Sequence, residues 1–131
     1  MRPTIGVVAY RLRPGRVSGW PMGGFGVPEN YIEAIWRAGG APTLLLPGDE
    51  TPAADLLAPL RGLVLVGGGD IDPRRYGQEP NENNYGADPI RDSFEIDLLV
   101  EADRRGTPTL AVCRGMQVMN VAFGEIGRAH V

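Results

Sequence analysis

A chain of 131 residues, 43% hydrophobic and 22% charged, is long enough to bury one core and too apolar for intrinsic disorder. Its net charge of -3 includes thirteen basic residues, all arginine and scattered, which leaves no electrostatic footprint for nucleic acid. The single cysteine excludes an internal disulfide framework, and no apolar run approaches the roughly 20 residues of a membrane span.

In chain order, Met1-Arg2-Pro3 leads straight into Thr4 to Ala9, a β-branched run that reads as a strand and is too short for a signal peptide, so a cytoplasmic protein is expected. Arg11 to Val27, rich in Gly, Pro and Arg, reads as a long loop. Ile32, Ile35 and Trp36 then make a helical stripe that Gly39 ends. Thr43 to Leu46 is the next strand, Ala53 to Ala58 a short helix and Leu63 to Val66 a third strand. Gly67-Gly68-Gly69-Asp70 forms a turn after it, followed by a polar loop from Asp70 to Asp88.

Ile96, Leu99 and Val100 mark a second long helix, for which Asp92 and Glu95 have the spacing of a capping box and Arg104-Arg105-Gly106 that of a stop. Thr109 to Val112 is the fourth strand, and a helix follows at once. The 19 glycines and 12 prolines fall largely between these segments, where a compact chain needs turns. The alternation β-α-β-α-β-α-β implies an α/β fold, a parallel sheet with helices on both faces.

The chemistry concentrates at Thr109-Leu110-Ala111-Val112-Cys113-Arg114-Gly115-Met116-Gln117, a strand running into Cys113 with a helix beginning immediately after. This is the pattern of a nucleophile elbow, which holds its nucleophile in strained backbone and needs small neighbours two residues away; Ala111 and Gly115 supply them. The start of the helix offers unpaired N–H groups and the positive end of a dipole to negative charge developing there. The N–H of Arg114 is the first candidate oxyanion donor. A glycine-rich turn at the C-terminal end of another strand, at Gly68 and Gly69, can complete the hole. Asp92 and Glu95, though a carboxylate pair, are read as helix capping rather than acid/base chemistry, and Met116, Val118, Met119 and Phe123 as core.

Tyr31, Ala34 and Ile35, then Ala38-Gly39-Gly40, Pro42 and Leu46-Pro47, Leu65 to Pro73 with Tyr76-Gly77, Arg91-Asp92 and Cys113 to Gln117 follow one another in an order that resembles the γ-glutamyl-γ-aminobutyrate hydrolase family of class I glutamine amidotransferase-like proteins. The resemblance runs from Thr4 to Gly124. It implies a flavodoxin-like, doubly wound parallel sheet and a Cys-His-Glu triad that hydrolyses a small-molecule γ-glutamyl amide through a thioester, without cofactor or metal. Carried over by position, Cys113 is the nucleophile, sited on a central strand; Arg114 and one of Gly68 or Gly69 supply oxyanion N–H groups, and Gln117 sits near the glutamyl end of the substrate. The family elbow usually opens with Gly where this chain has Ala111.

The only histidine, His130, does not stand in the Trp-His-Pro-Glu-like context the family uses, and it reads as a tail residue. Glu125 to Val131 resembles translated sequencing adapter, so residues 1–124 are expected to be a partial domain, C-terminally truncated, and 125–131 a non-native tail. Such a fragment is expected to expose apolar surface, to associate with further copies of itself and to turn over no γ-glutamyl amide. The competing functions are a glutaminase subunit that delivers ammonia to a synthetase, and a non-enzymatic flavodoxin-like binding or redox-sensing module.

Overall fold

The computed structural model describes residues 1–68 and 88–124. In chain order the elements are β1 (Thr4–Val8), β2 (Tyr10–Leu12), β3 (Gly24–Gly26), α1 (Glu29–Arg37), β4 (Ala41–Leu45), α2 (Ala53–Leu57), β5 (Gly62–Leu65), α3 (Pro89–Arg105), β6 (Thr109–Ala111) and α4 (Arg114–Ala122). β4, β1, β5 and β6 lie side by side in that order, every pair parallel. Numbering those four strands by their sequence gives the order 2-1-3-4, which is the flavodoxin-like winding. The expected α/β fold with a parallel sheet is therefore present.

The two-residue period of a strand sends neighbours to opposite faces, and here both faces are covered. Val8, Leu45, Leu63 and Leu65 pack with Leu57, Phe94, Leu98, Leu99 and Val118 from α2, α3 and α4. Val7, Val64 and Val66 pack on the other side with Ile5, Tyr31, Ile32 and Ile35, so α1 covers that face. Trp36, expected in the α1 stripe, is instead 53% exposed.

Several expectations need correction, among them Met116 and Phe123, which are 39% and 47% exposed rather than in the core. The segment Arg11 to Val27 is not a plain loop, because β2 and β3 pair antiparallel across it, Tyr10 opposite Gly26 and Leu12 opposite Gly24. α3 begins earlier than the Asp92 and Glu95 spacing suggests. Asp88 is its N-cap, accepting hydrogen bonds from the N–H groups of Ile90 (3.1 Å) and Arg91 (3.2 Å), with Pro89 opening the helix. Asp92 and Glu95 are buried inside the helix. Of the expected Ile96, Leu99, Val100 stripe, Leu99 is buried and Ile96 packs against the core, whereas Val100 is 50% exposed; Phe94, Leu98 and Ala102 complete the inward face. Arg91, Asp92 and Glu95 are buried in the first two turns, so the apolar stripe marks only part of the inward side. The expected stop holds, with Gly106 in the left-handed region at φ 73°. β6 lies at the edge of the described sheet rather than at its centre.

Candidate active site

The bend between β6 and α4 is tight. Cys113 is the N-cap of α4 with φ 50° and ψ -110°, and among the described residues it is the only non-glycine with positive φ. A side chain in that region costs of order 1–3 kcal/mol and persists only where its surroundings enforce it. They do so here. The Cys113 carbonyl accepts the N–H groups of Met116 (2.9 Å) and Gln117 (3.3 Å), which starts the helix, while Val112 N–H still reaches Leu65 O (3.0 Å) and extends the ladder of the sheet. Gly115 lets the helix press on β5: a Cβ there would lie 2.7 Å from Leu65 Cβ and 2.8 Å from Leu65 O. Cys113 itself is exposed and free.

β5 pairs parallel with β6, so their C-terminal ends lie together, and β5 runs directly into Gly67 and Gly68. A Cβ on Gly67 would stand 3.8 Å from Cys113 Cβ and 3.6 Å from Tyr31 Oη. The Gly67 N–H donates to Tyr31 Oη at 3.2 Å. The thiol and the glycine turn are thus neighbours at the end of the sheet where open α/β folds bind ligands. Gly69, the other expected donor of the turn, lies outside the described residues. Gln117 sits one turn into α4, half-buried. His130 and the tail 125–131 also lie outside the described residues.

Beneath this pair is a group of side chains that motif reading assigns elsewhere. Arg91, Asp92, Glu95 and Arg114 are all buried. Arg114, whose N–H adjoins the nucleophile, sends its guanidinium into the interior, with Nη1 donating to Glu95 Oε1 at 2.9 Å and Nη2 to Asp92 Oδ1. Arg91 Nε donates to Glu95 Oε2 at 2.6 Å, and Arg91 Nη2 donates to the carbonyls of Val66 (3.1 Å) and Gly67 (3.0 Å). Burial pushes the Glu95 carboxyl above its ordinary value against the pull of both guanidinium groups, and burial pulls Arg114 down against the two carboxylates. Two positive and two negative groups balance, and among the described residues no buried side-chain nitrogen or oxygen lacks a partner. The i, i+4 spacing of Arg91 and Glu95 was the available signal, but only tertiary contact brings Arg114 to them.

A separate open cleft, lined by Leu60, Arg61, Arg104, Arg105 and Pro108 among others, opens at the beginnings of β5 and β6, the end of the sheet opposite Cys113. No described helix is long and apolar enough to cross a membrane, and the described residues contain no cluster of three metal-ligating side chains.

A family model described as Peptidase C26 matches residues 3–130. The chain belongs to the peptidase C26 family. C26 proteins are class I glutamine amidotransferase-like, and the family is one of hydrolase- and amidotransferase-like enzymes. This C26 chain is 41% identical over 132 residues to a protein of Mycobacterium tuberculosis named as a candidate glutamine amidotransferase, a match covering 99% of this chain and 42% of that protein. It is 35% identical over 125 residues to the γ-glutamyl-γ-aminobutyrate hydrolase of Escherichia coli strain K12, covering 93% of this chain and 46% of that enzyme. The chain therefore spans less than half the length of these curated relatives.

Proposed function

We propose that the protein is a cysteine hydrolase of γ-glutamyl amides, acting on γ-glutamyl-γ-aminobutyrate or a related γ-glutamyl amine. The observation that carries this reading is the strained, exposed Cys113 beside the Gly67–Gly68 turn. The Cys113 sulfur attacks the γ-carbonyl carbon, a C–S bond forms, and the carbonyl electron pair moves onto oxygen. The N–H groups of Arg114 and of Gly68 or Gly69 receive that oxyanion. Collapse expels the amine with a proton and leaves a glutamyl thioester, which water cleaves to glutamate and free thiol. Gln117, on the first turns of α4, faces the task of holding the glutamyl end.

Among the described residues there is no histidine to move these protons, and the reading takes the base and its orienting acid from elsewhere in the complete protein. Turnover by the 131-residue chain is then negligible, whereas the complete protein releases glutamate from γ-glutamyl-γ-aminobutyrate and loses that activity with Cys113→Ser. Failure of the complete protein to release glutamate from any γ-glutamyl amine or from glutamine would end the reading. The Mycobacterium tuberculosis relative favours a second one, a glutaminase that passes ammonia to a synthetase. Glutamine consumed faster than γ-glutamyl amines, and faster still with a synthetase partner present, would select it.

A further inference from the structure

We propose that Arg91, Glu95 and Arg114 are positioning residues that together set the direction and separation of two oxyanion donors, the Arg114 N–H and, of the two candidates after β5, the Gly68 N–H. The inference rests on the cysteine-hydrolase reading and extends it from the donors to the buried charges behind them.

In a trans peptide the C=O of one residue and the N–H of the next point in opposite directions, and the described chain contains no cis bond. Arg91 Nη2 takes the Val66 carbonyl, so the Gly67 N–H must point away from Arg91; it does, onto Tyr31 Oη. The same nitrogen takes the Gly67 carbonyl, so the Gly68 N–H is likewise turned away from α3 and out of the buried network. One guanidinium thereby fixes two consecutive peptide planes at the end of β5.

The second donor is fixed from the same place. Arg114 is the first residue of α4, and its guanidinium is held by Glu95 and Asp92 of α3. Glu95 gives one oxygen to Arg91 and the other to Arg114, so a single carboxylate joins the β5 turn to the elbow. These side chains are at most 4% exposed. Burying four charges is an inefficient way to gain stability, since apolar residues of similar volume commonly do as well or better. A fixed geometry between two turns is what an apolar cluster would not supply, because van der Waals contact has no direction. The fit at Gly68 is correspondingly close: a Cβ there would lie 2.1 Å from Arg91 Nη1 and 3.3 Å from Arg114 Cδ.

The test uses the 131-residue chain and compares two reactions of Cys113 at about pH 9, where free thiols are largely ionised. Acylation by p-nitrophenyl acetate passes through a tetrahedral oxyanion: the C–S bond forms, the carbonyl pair moves to oxygen and returns, and p-nitrophenolate leaves. Alkylation by iodoacetamide displaces iodide at a saturated carbon and forms no oxyanion. The ratio of the two rates, divided by the same ratio for the urea-unfolded chain, measures oxyanion stabilisation alone.

Wild type is expected to exceed unity. Arg91→Lys, which cannot span both carbonyls and Glu95, and Glu95→Gln, which keeps the shape but not the charge, should lower the ratio about tenfold or more while leaving alkylation unchanged, since removal of one oxyanion donor outright costs about 10²–10³. A wild-type ratio of unity would defeat the cysteine-hydrolase reading itself. A raised wild-type ratio that both variants retain would overturn the positioning role and leave that reading standing. Loss of native circular dichroism in both variants would also overturn it, by making the network a requirement of the fold.

Discussion

Replacing Gly115 by alanine puts a methyl group 2.7 Å from Leu65 Cβ and 2.8 Å from Leu65 O. Non-bonded carbons rest about 3.5–4.0 Å apart, so α4 has to withdraw from β5 by roughly 1 Å. The obstructing atoms belong to a strand hydrogen-bonded on both sides, and no rotamer change clears them. Overpacking of this kind costs about 1–3 kcal/mol. The displaced segment begins next to Cys113, and a misplacement of about 1 Å at a reacting group can cost about 10²-fold in rate. Gly67→Ala is the matched control: its methyl would meet only Tyr31 Oη at 3.6 Å and Cys113 Cβ at 3.8 Å, ordinary contacts. Urea unfolding followed by circular dichroism should place Gly115→Ala about 1–3 kcal/mol below wild type and Gly67→Ala within about 0.5 kcal/mol of it. Equal midpoints for wild type and Gly115→Ala, or equal damage from both substitutions, would show that the close approach of α4 to β5 does not shape the elbow.

The cap of α3 can be located by substitution: Asp88→Ala should cost about 1 kcal/mol, whereas Asp92→Asn, which removes a charge from a buried pair, should cost about 3–5 kcal/mol, and the reverse order would restore Asp92 as the cap. Cys113→Gly should be more stable than Cys113→Ala by about 1 kcal/mol in the same urea experiment, because glycine accepts φ 50° without strain; an alanine variant as stable would mean the bend stores none. Burial raises the Glu95 carboxyl above its ordinary 4.5, so the stability it contributes is whole below pH 4.5 and is lost as pH rises through the higher folded value. The stability of wild type relative to Glu95→Gln should therefore decline as pH climbs from 4.5, and a difference independent of pH would contradict the direction of the shift.

Local pattern was sufficient for the elements that are apolar and regular. Short β-branched runs separated by helical segments announced four parallel strands, and their limits fall within two residues of the observed ones. The elbow was legible because a strand, a thiol, a small residue two positions on and a helix follow without a gap, and that constraint is local in the backbone. α3 was misread where its inward face stops being apolar. A buried Asp92 or Arg114 looks in sequence like a solvated charge or a cap, since nothing in the chain nearby announces a partner 19 or 22 residues away.

The amino-acid sequence determined, without any coordinates, the α/β class, the parallel sheet and the placement of Cys113 at a strand-to-helix junction, because each follows from residue type at short range. Tertiary structure alone decided that Arg114 turns inward to α3, that Arg91 grips the carbonyls after β5, and that Tyr31 meets the Gly67 N–H. Those contacts join residues far apart in the chain, and charges leave water for such places only when folding delivers an opposite charge to meet them.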